Sequence, residues 1–160
     1  MQDGRLIIRP ATLDDQPEIA RLYVELRDHH RVLEPGNPRY GTDDLRWELE
    51  ARGALEDPDI TVLAAEAGEG VVGFVKLRYE PKPWGLSCEV HTLVVEAAWR
   101  SAGTGTKLMA AAEAHAMESG ARGMRVQVLL TNERGRAFYE RLGYEPIAVR
   151  YGKPIGSDAG

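Results

Sequence analysis

Cysteine is almost missing from this sequence: Cys88 stands alone in 160 residues. That excludes an internal disulfide, and one thiol cannot make a zinc site by itself. Long apolar runs are also absent, and none approaches the ~20 residues needed to cross a bilayer. The N-terminal segment sets Asp3, Arg5 and Arg9 around a short apolar patch, without the apolar stretch of a signal peptide. The expectation is a cytoplasmic protein with no membrane partner. A basic stripe is missing too. The formal charge is −5, the pI is about 5.4, and basic residues alternate with acids, as in Arg46-Trp47-Glu48 and Glu133-Arg134. Nucleic acid is therefore not an expected partner. The acidic balance is compatible with a cationic acceptor, and equally with simple solubility. With no repeat, low-complexity tract or long linker, residues 1–160 read as one domain.

What is present is an alternation of strand and helix patterns. Leu6-Ile7-Ile8 reads as a strand stopped by Pro10, and Thr12-Leu13-Asp14-Asp15 has the form of a capping box. Ile19, Leu22, Leu26 and Leu33 follow near helical spacing, and Pro35 to Pro38 ends that helix. Thr42 is placed to cap a second helix carrying Leu45, Leu49 and Leu55 on one face. Ile60 to Glu66, Val71 to Tyr79 and Leu86 to Val95 read as strands, the first two joined by a turn at Gly68 to Gly70. Gly105 to Met117 places Leu108, Met109, Ala112 and Ala116 on one helix face, ended by Gly120 or Gly123. Met124 to Leu130 reads as a strand. Asn132 is placed to cap a last helix, Gly143 fits the left-handed position after it, and Tyr144 to Tyr151 reads as a final strand. This order predicts an α/β layer fold with a mixed sheet, antiparallel in the middle and parallel where helices cross.

The segment with most chemical content is Arg100-Ser101-Ala102-Gly103-Thr104-Gly105, between a strand and a helix. A helix start leaves N–H groups without partners and carries partial positive charge, so it suits a phosphate. Gly103 and Gly105 permit close backbone approach, Arg100 can add charge-assisted contacts, and Thr104 and Thr106 offer hydroxyls. A turn that merely joins strand to helix is the plain alternative. A P-loop is disfavoured because Lys107 follows Thr106 rather than glycine, and a dinucleotide fingerprint because its first glycine is missing.

Leu93-Val94-Val95 followed by Arg100-x-x-Gly103-x-Gly105, with Asn132 through Ala137-Phe138-Tyr139 to Gly143-Tyr144, resembles the GNAT superfamily of N-acetyltransferases. Ile8-Arg9-Pro10-Ala11 with Asp14-Asp15 resembles the start of that family, so the resemblance covers nearly the whole chain. The family often has Pro where Ala97 stands and Gly where Ser101 stands. The resemblance implies a centrally antiparallel mixed sheet of about six to seven strands flanked by about four helices. It implies acetyl-CoA as cosubstrate, no metal, and an amine acceptor that is a small molecule or a protein amine. It also implies that backbone groups of Leu93, Val94 and Val95 bind the pantetheine arm as an added strand would. Amides from Ser101, Ala102, Gly103, Thr104, Gly105 and Thr106 would bind the pyrophosphate, with Asn132 on the coenzyme arm. Tyr139 would lie near the coenzyme sulfur as general acid; its plain alternative is a packed aromatic.

Glu89 and His91, at i and i+2 on one strand, point to one face and compete for the role of base, and simple alternation continues that face to Leu93 and Val95. Cys88 should face the other way, which disfavours a covalent thiol mechanism. By resemblance, the region from His29 to Tyr40 lines the acceptor pocket, with Tyr79, Glu80 and Trp84 as an opposite wall. Many relatives are dimers, so a homodimer is open, although no stripe in the sequence carries one. A non-catalytic acyl-CoA-binding module is the alternative to an enzyme.

Overall fold

The computed structural model describes residues 5–41, 43–68 and 70–156. The chain divides into two compact units, Met1–Gln127 and Val128–Gly160.

In the first unit, β1 (Ile7–Pro10), β2 (Ile60–Ala67), β3 (Gly70–Lys82), β4 (Gly85–Val95) and β5 (Met124–Val126) form one sheet in the order β1-β2-β3-β4-β5. The first three pairings are antiparallel and β4–β5 is parallel, because α3 (Thr104–Glu118) crosses between those two strands. The other helices of this unit are α1 (Gln16–Leu33) and α2 (Leu45–Glu56). The capping box forms as read: Thr12 N donates to Asp15 Oδ2 at 2.8 Å, and a short 3-10 turn leads into α1. The same carboxylate takes a two-pronged contact from Arg9, Nη1 to Oδ2 at 2.8 Å and Nη2 to Oδ1 at 2.9 Å. Arg9 Nε reaches Glu66 Oε2 at 2.6 Å, so three elements are tied at one point. The position read as the cap of α2, Thr42, lies outside the described residues.

One core cluster packs Ile19, Leu22 and Tyr23 of α1 and Ala51 and Ala54 of α2 on Val62, Ala64, Phe74 and Val94 of the sheet. The buried side of α2 is thus its Trp47–Ala51–Ala54 side, while Leu45 and Leu49 are 60% and 63% exposed. Small residues let α2 lie close to α1; Leu45 and Leu49 face outward while Leu55 packs against the core, so the three leucines do not share one face as expected. On α3, Leu108, Met109, Ala112 and Ala116 are buried as the pattern predicted, joined by Thr104, and Gly120 at φ +91° ends the helix.

The second unit contains α4 (Glu133–Arg141). Asn132 Oδ1 accepts from Gly135 N at 3.0 Å, and Gly143 takes φ +93° after the helix. Two expected strands are corrected. The strand read from Met124 to Leu130 stops at Val126, and Tyr144 to Tyr151 forms none. The latter has the alternation of a strand, yet Ile147, Val149 and Tyr151 are exposed and the segment joins no sheet among the described residues. Alternation marks a strand only where one face is buried. Among the described residues the sheet therefore has five strands, where about six to seven were expected.

Candidate active site

The site begins with a discontinuity in β4. Lys76 of β3 pairs with Thr92, but Leu77 pairs with Val90, so His91 is an extra residue bulging from the ladder. A bulge re-aims the side chains around it. Paired residues share a face, which allows each side to be traced. Val94 packs with α1 and α2, and Lys76, partner of Thr92, reaches Glu50 of α2. Arg78, partner of Glu89, lies 4.0 Å from Asp57 at the end of α2. Val95 pairs with Gly73, whose missing side chain would meet Leu108 of α3 at 3.3 Å. Tyr79, partner of Cys88, hydrogen-bonds His115 Nδ1 of α3 at 2.6 Å.

The simple alternation is thus corrected. Glu89 faces α1 and α2 together with Thr92 and Val94, whereas Leu93 and Val95 face α3. The bulge inverts the strand's phase between the two pairs. Tyr79 also leaves the expected acceptor wall, because its hydroxyl is engaged on the α3 side. Cys88 is fully buried there, and burial pushes its thiol pKa up, so it is a packing residue.

On the α1/α2 face, His91 Nε2 stands 4.0 Å from Glu89 Oε1. Partial burial lowers the His91 pKa below its usual value; Glu89 opposes this and Lys76 and Arg78 reinforce it. The imidazole is therefore neutral at neutral pH and able to accept a proton. Nearby lies a cavity of about 590 Å³ lined by α2, Asp43, Asp57, Ile60 and Lys76. The region from His29 to Tyr40 is shaped by contacts of its own. The His30 and Tyr40 rings lie 5.2 Å apart, and buried Arg27 holds Asp28 and Asp44 at 3.0 and 2.6 Å. Trp84 is 70% exposed. Lys76 and the α2 lining of the cavity escaped sequence reasoning. A lysine within an apolar strand was the available signal.

On the other side of β4 the sheet opens. Pairing with β5 covers only Cys88, Glu89 and Val90, so the backbone from His91 to Val95 has no β5 partner among the described residues. That open edge leads through a 3-10 turn, Ala97–Ala102, to Gly103 at φ +76° and ψ 14°, and then into α3. Lys107 N donates to Gly103 O at 3.1 Å, the bond that begins the helical ladder. The amides of Thr104, Gly105 and Thr106 precede it and are the unpaired donors of the first turn. Two expected details change. The Thr104 side chain is completely buried, with no partner for its hydroxyl among the described residues, so of the two threonines only Thr106 is exposed. Arg100 Nε donates to Val95 O at 3.0 Å, tying the turn to the strand end.

In the second unit, Tyr139 lies on α4, its ring 5.1 Å from Phe138 and 5.7 Å from Tyr144. Burial pushes its phenol up to about 12, so it keeps its proton at neutral pH. Among the described residues no group of three or more His, Cys, Asp or Glu side chains is placed to hold a metal ion. No helix among them is long and apolar enough to cross a membrane.

Comparison with known proteins agrees with this geometry. The chain is 29% identical over 143 residues, 86% of this chain and 89% of the relative, to an uncharacterized N-acetyltransferase, YhfO, of Bacillus subtilis strain 168. Among solved structures, a possible acetyltransferase from Clostridium difficile superposes with a TM-score of 0.77 at 22% identity, covering 94% of this chain and 97% of that one. An aminoglycoside acetyltransferase from an uncultured soil metagenomic sample, in complex with sisomicin, gives 0.71 at 17% identity with the same coverage. These structures share the fold. The model of the acetyltransferase (GNAT) family matches residues 19–144, most of the chain, and the protein belongs to that family.

Proposed function

We propose that this protein is an N-acetyltransferase that moves an acetyl group from acetyl-CoA to a primary amine by direct attack, with residues 1–160 acting as one functional domain. The observation that carries this reading is the open edge of β4 running into the Gly103-capped start of α3. An extended amide-bearing arm suits an unpaired strand edge, and a pyrophosphate suits free amides at a helix start. Leu93, Val94 and Val95 would hold the arm. Ser101, Ala102, Gly103, Thr104, Gly105 and Thr106 would hold the pyrophosphate through their amides, with Arg100 adding charge and Asn132 on the arm.

Acetyl transfer needs a neutral amine, a stabilised oxyanion and a protonated leaving thiol. The amine lone pair attacks the thioester carbonyl carbon, and the carbon–sulfur bond then breaks. His91, neutral and beside Glu89, accepts the amine proton directly or through one water. Tyr139 gives its proton to the departing sulfur. Glu89 as the base itself is the alternative assignment. The acceptor, a small molecule or a protein amine, approaches on the α1/α2 face. A cytoplasmic location and a homodimer belong to this reading as expectations.

The test is release of CoA thiol from acetyl-CoA with a panel of amines. Amine-dependent release supports the proposal. CoA binding with no release across amino acids, polyamines, aminoglycosides and peptides would favour a non-catalytic acyl-CoA-binding module.

A further inference from the structure

Lys76 is the least explained charge in the molecule. It sits in the middle of β3, in the centre of the sheet, and is 7% exposed. A buried ammonium needs partners for its three protons. Among the described residues one hydrogen-bond acceptor serves it, Glu50 Oε1 at 3.4 Å, which is long for a charge-assisted bond. Glu50 is itself half-exposed. The ammonium also lies 5.5 Å from the centre of the Tyr23 ring. The Tyr23 hydroxyl is buried with no hydrogen-bond partner among the described residues. Lys76 thus has more donors than acceptors, and it stands with Tyr23, which interacts with both Lys76 and Thr92, on the face that carries Glu89 and His91.

The position of Lys76 gives these donors a use. It lines the cavity of about 590 Å³, within the range of small-ligand pockets. It pairs across the ladder with Thr92, the residue after His91, and neighbouring strands run about 4.8 Å apart. An anionic group on Lys76 and an amine at His91 would therefore belong to one small molecule, joined by few bonds. The rest of the lining mixes apolar Leu45, Leu49, Ala54 and Ile60 with Asp43 and Arg46, which leaves room for a side chain.

Resting on the acetyltransferase reading above, we propose that the acceptor is an amino acid or a similar carboxylate-bearing primary amine, whose carboxylate is held by Lys76. Polycationic amines lack the group this lysine needs, and their extra charges would meet it in a partly desolvated site.

The test compares glycine, L-leucine and L-glutamate with their α-carboxamides, by calorimetric binding to the CoA-saturated protein and, in parallel, by thiol release. At least one free acid should bind about tenfold or more tightly than its amide, a difference of about 1.4 kcal/mol. Lys76→Met should abolish the preference and Lys76→Arg should largely keep it. The Met variant should fold, because Glu50 is already half in water, and the wild-type comparison of acid with amide needs no variant. Equal affinity for acid and amide, binding of neither, or a preference that survives Lys76→Met overturns the proposal. The two readings fail separately. Preferential binding without thiol release sinks acetyl transfer and leaves the carboxylate site standing. Thiol release with no preference does the reverse.

Discussion

At the scale of single residues, the proposed reaction assigns opposite halves of the proton traffic to two side chains. Burial raises the Tyr139 pKa to about 12, so it donates rather than accepts at neutral pH. Tyr139→Phe should lower kcat about a hundredfold while leaving the calorimetric Kd for CoA within about threefold, since general acid catalysis is worth roughly 10²–10⁴. Full turnover in that variant would remove the phenol from the mechanism. His91 is the converse case in the proposal, because its pKa is lowered and its neutral form would be the base. The kcat/KM profile should therefore hold near neutrality and fall only as pH drops through a pKa below about 6.5. His91→Gln should erase that acid limb and lower the plateau about a hundredfold. An unchanged limb would transfer the role to Glu89.

At the scale of elements, two glycines are predicted to fail in different ways. At Gly103 an added Cβ meets nothing within 4 Å, so Gly103→Ala costs only the left-handed torsion, about 1 kcal/mol. It should chiefly weaken CoA binding, by re-aiming the first amides of α3. At Gly73 an added Cβ would stand 2.9 Å from Val94 O and 3.3 Å from Leu108 Cδ1. Gly73→Ala should lower stability by about 1–3 kcal/mol in urea titration, through clash rather than torsion. If both variants lost only stability, the ligand role of the α3 start would be wrong.

The Arg9–Asp15 pair gives an element-scale prediction in pH. Hydrogen bonding to Arg9 depresses the Asp15 pKa in the folded state. Its stabilisation is present above the unfolded carboxylate value of about 3.9, and is lost as pH falls through the lower folded value. Asp15→Asn should cost about 1–3 kcal/mol at pH 7 and little at pH 2, read as the difference between urea midpoints.

The elements also show what sequence can and cannot reveal. The capping box at Thr12, the α3 face, the cap at Asn132 and the turn at Gly143 are local, set by residues within a few positions of each other, and all were legible. The His91 bulge was not, because a bulge exists only relative to the partner strand. Missing it placed Leu93 and Val95 on the face of Glu89, although the residues themselves were singled out. The strand expected at Tyr144 to Tyr151 failed for the same kind of reason, since alternation says nothing about whether a partner edge exists.

At the scale of the whole molecule, the proposed reaction has one strand serve two roles. On one face of β4, beyond the bulge, Leu93 and Val95 look toward α3, whose start is the proposed pyrophosphate site. On the other, Glu89 and His91 look toward α2, the cavity and Lys76. The bulge at His91 allows one strand to serve both, because a regular strand would place all four side chains together. The family was legible from the sequence because its motif lies in contiguous turns. The proposed acceptor side was not, because Lys76, Glu50 and Tyr23 come from three separate elements.

The most direct measurement is CoA thiol release from acetyl-CoA with and without an amine, with the product analysed by mass spectrometry. The account predicts amine-dependent release matched mole for mole by an N-acetylated product. Release that ignores the amine, or none with any amine although CoA binds, would contradict it.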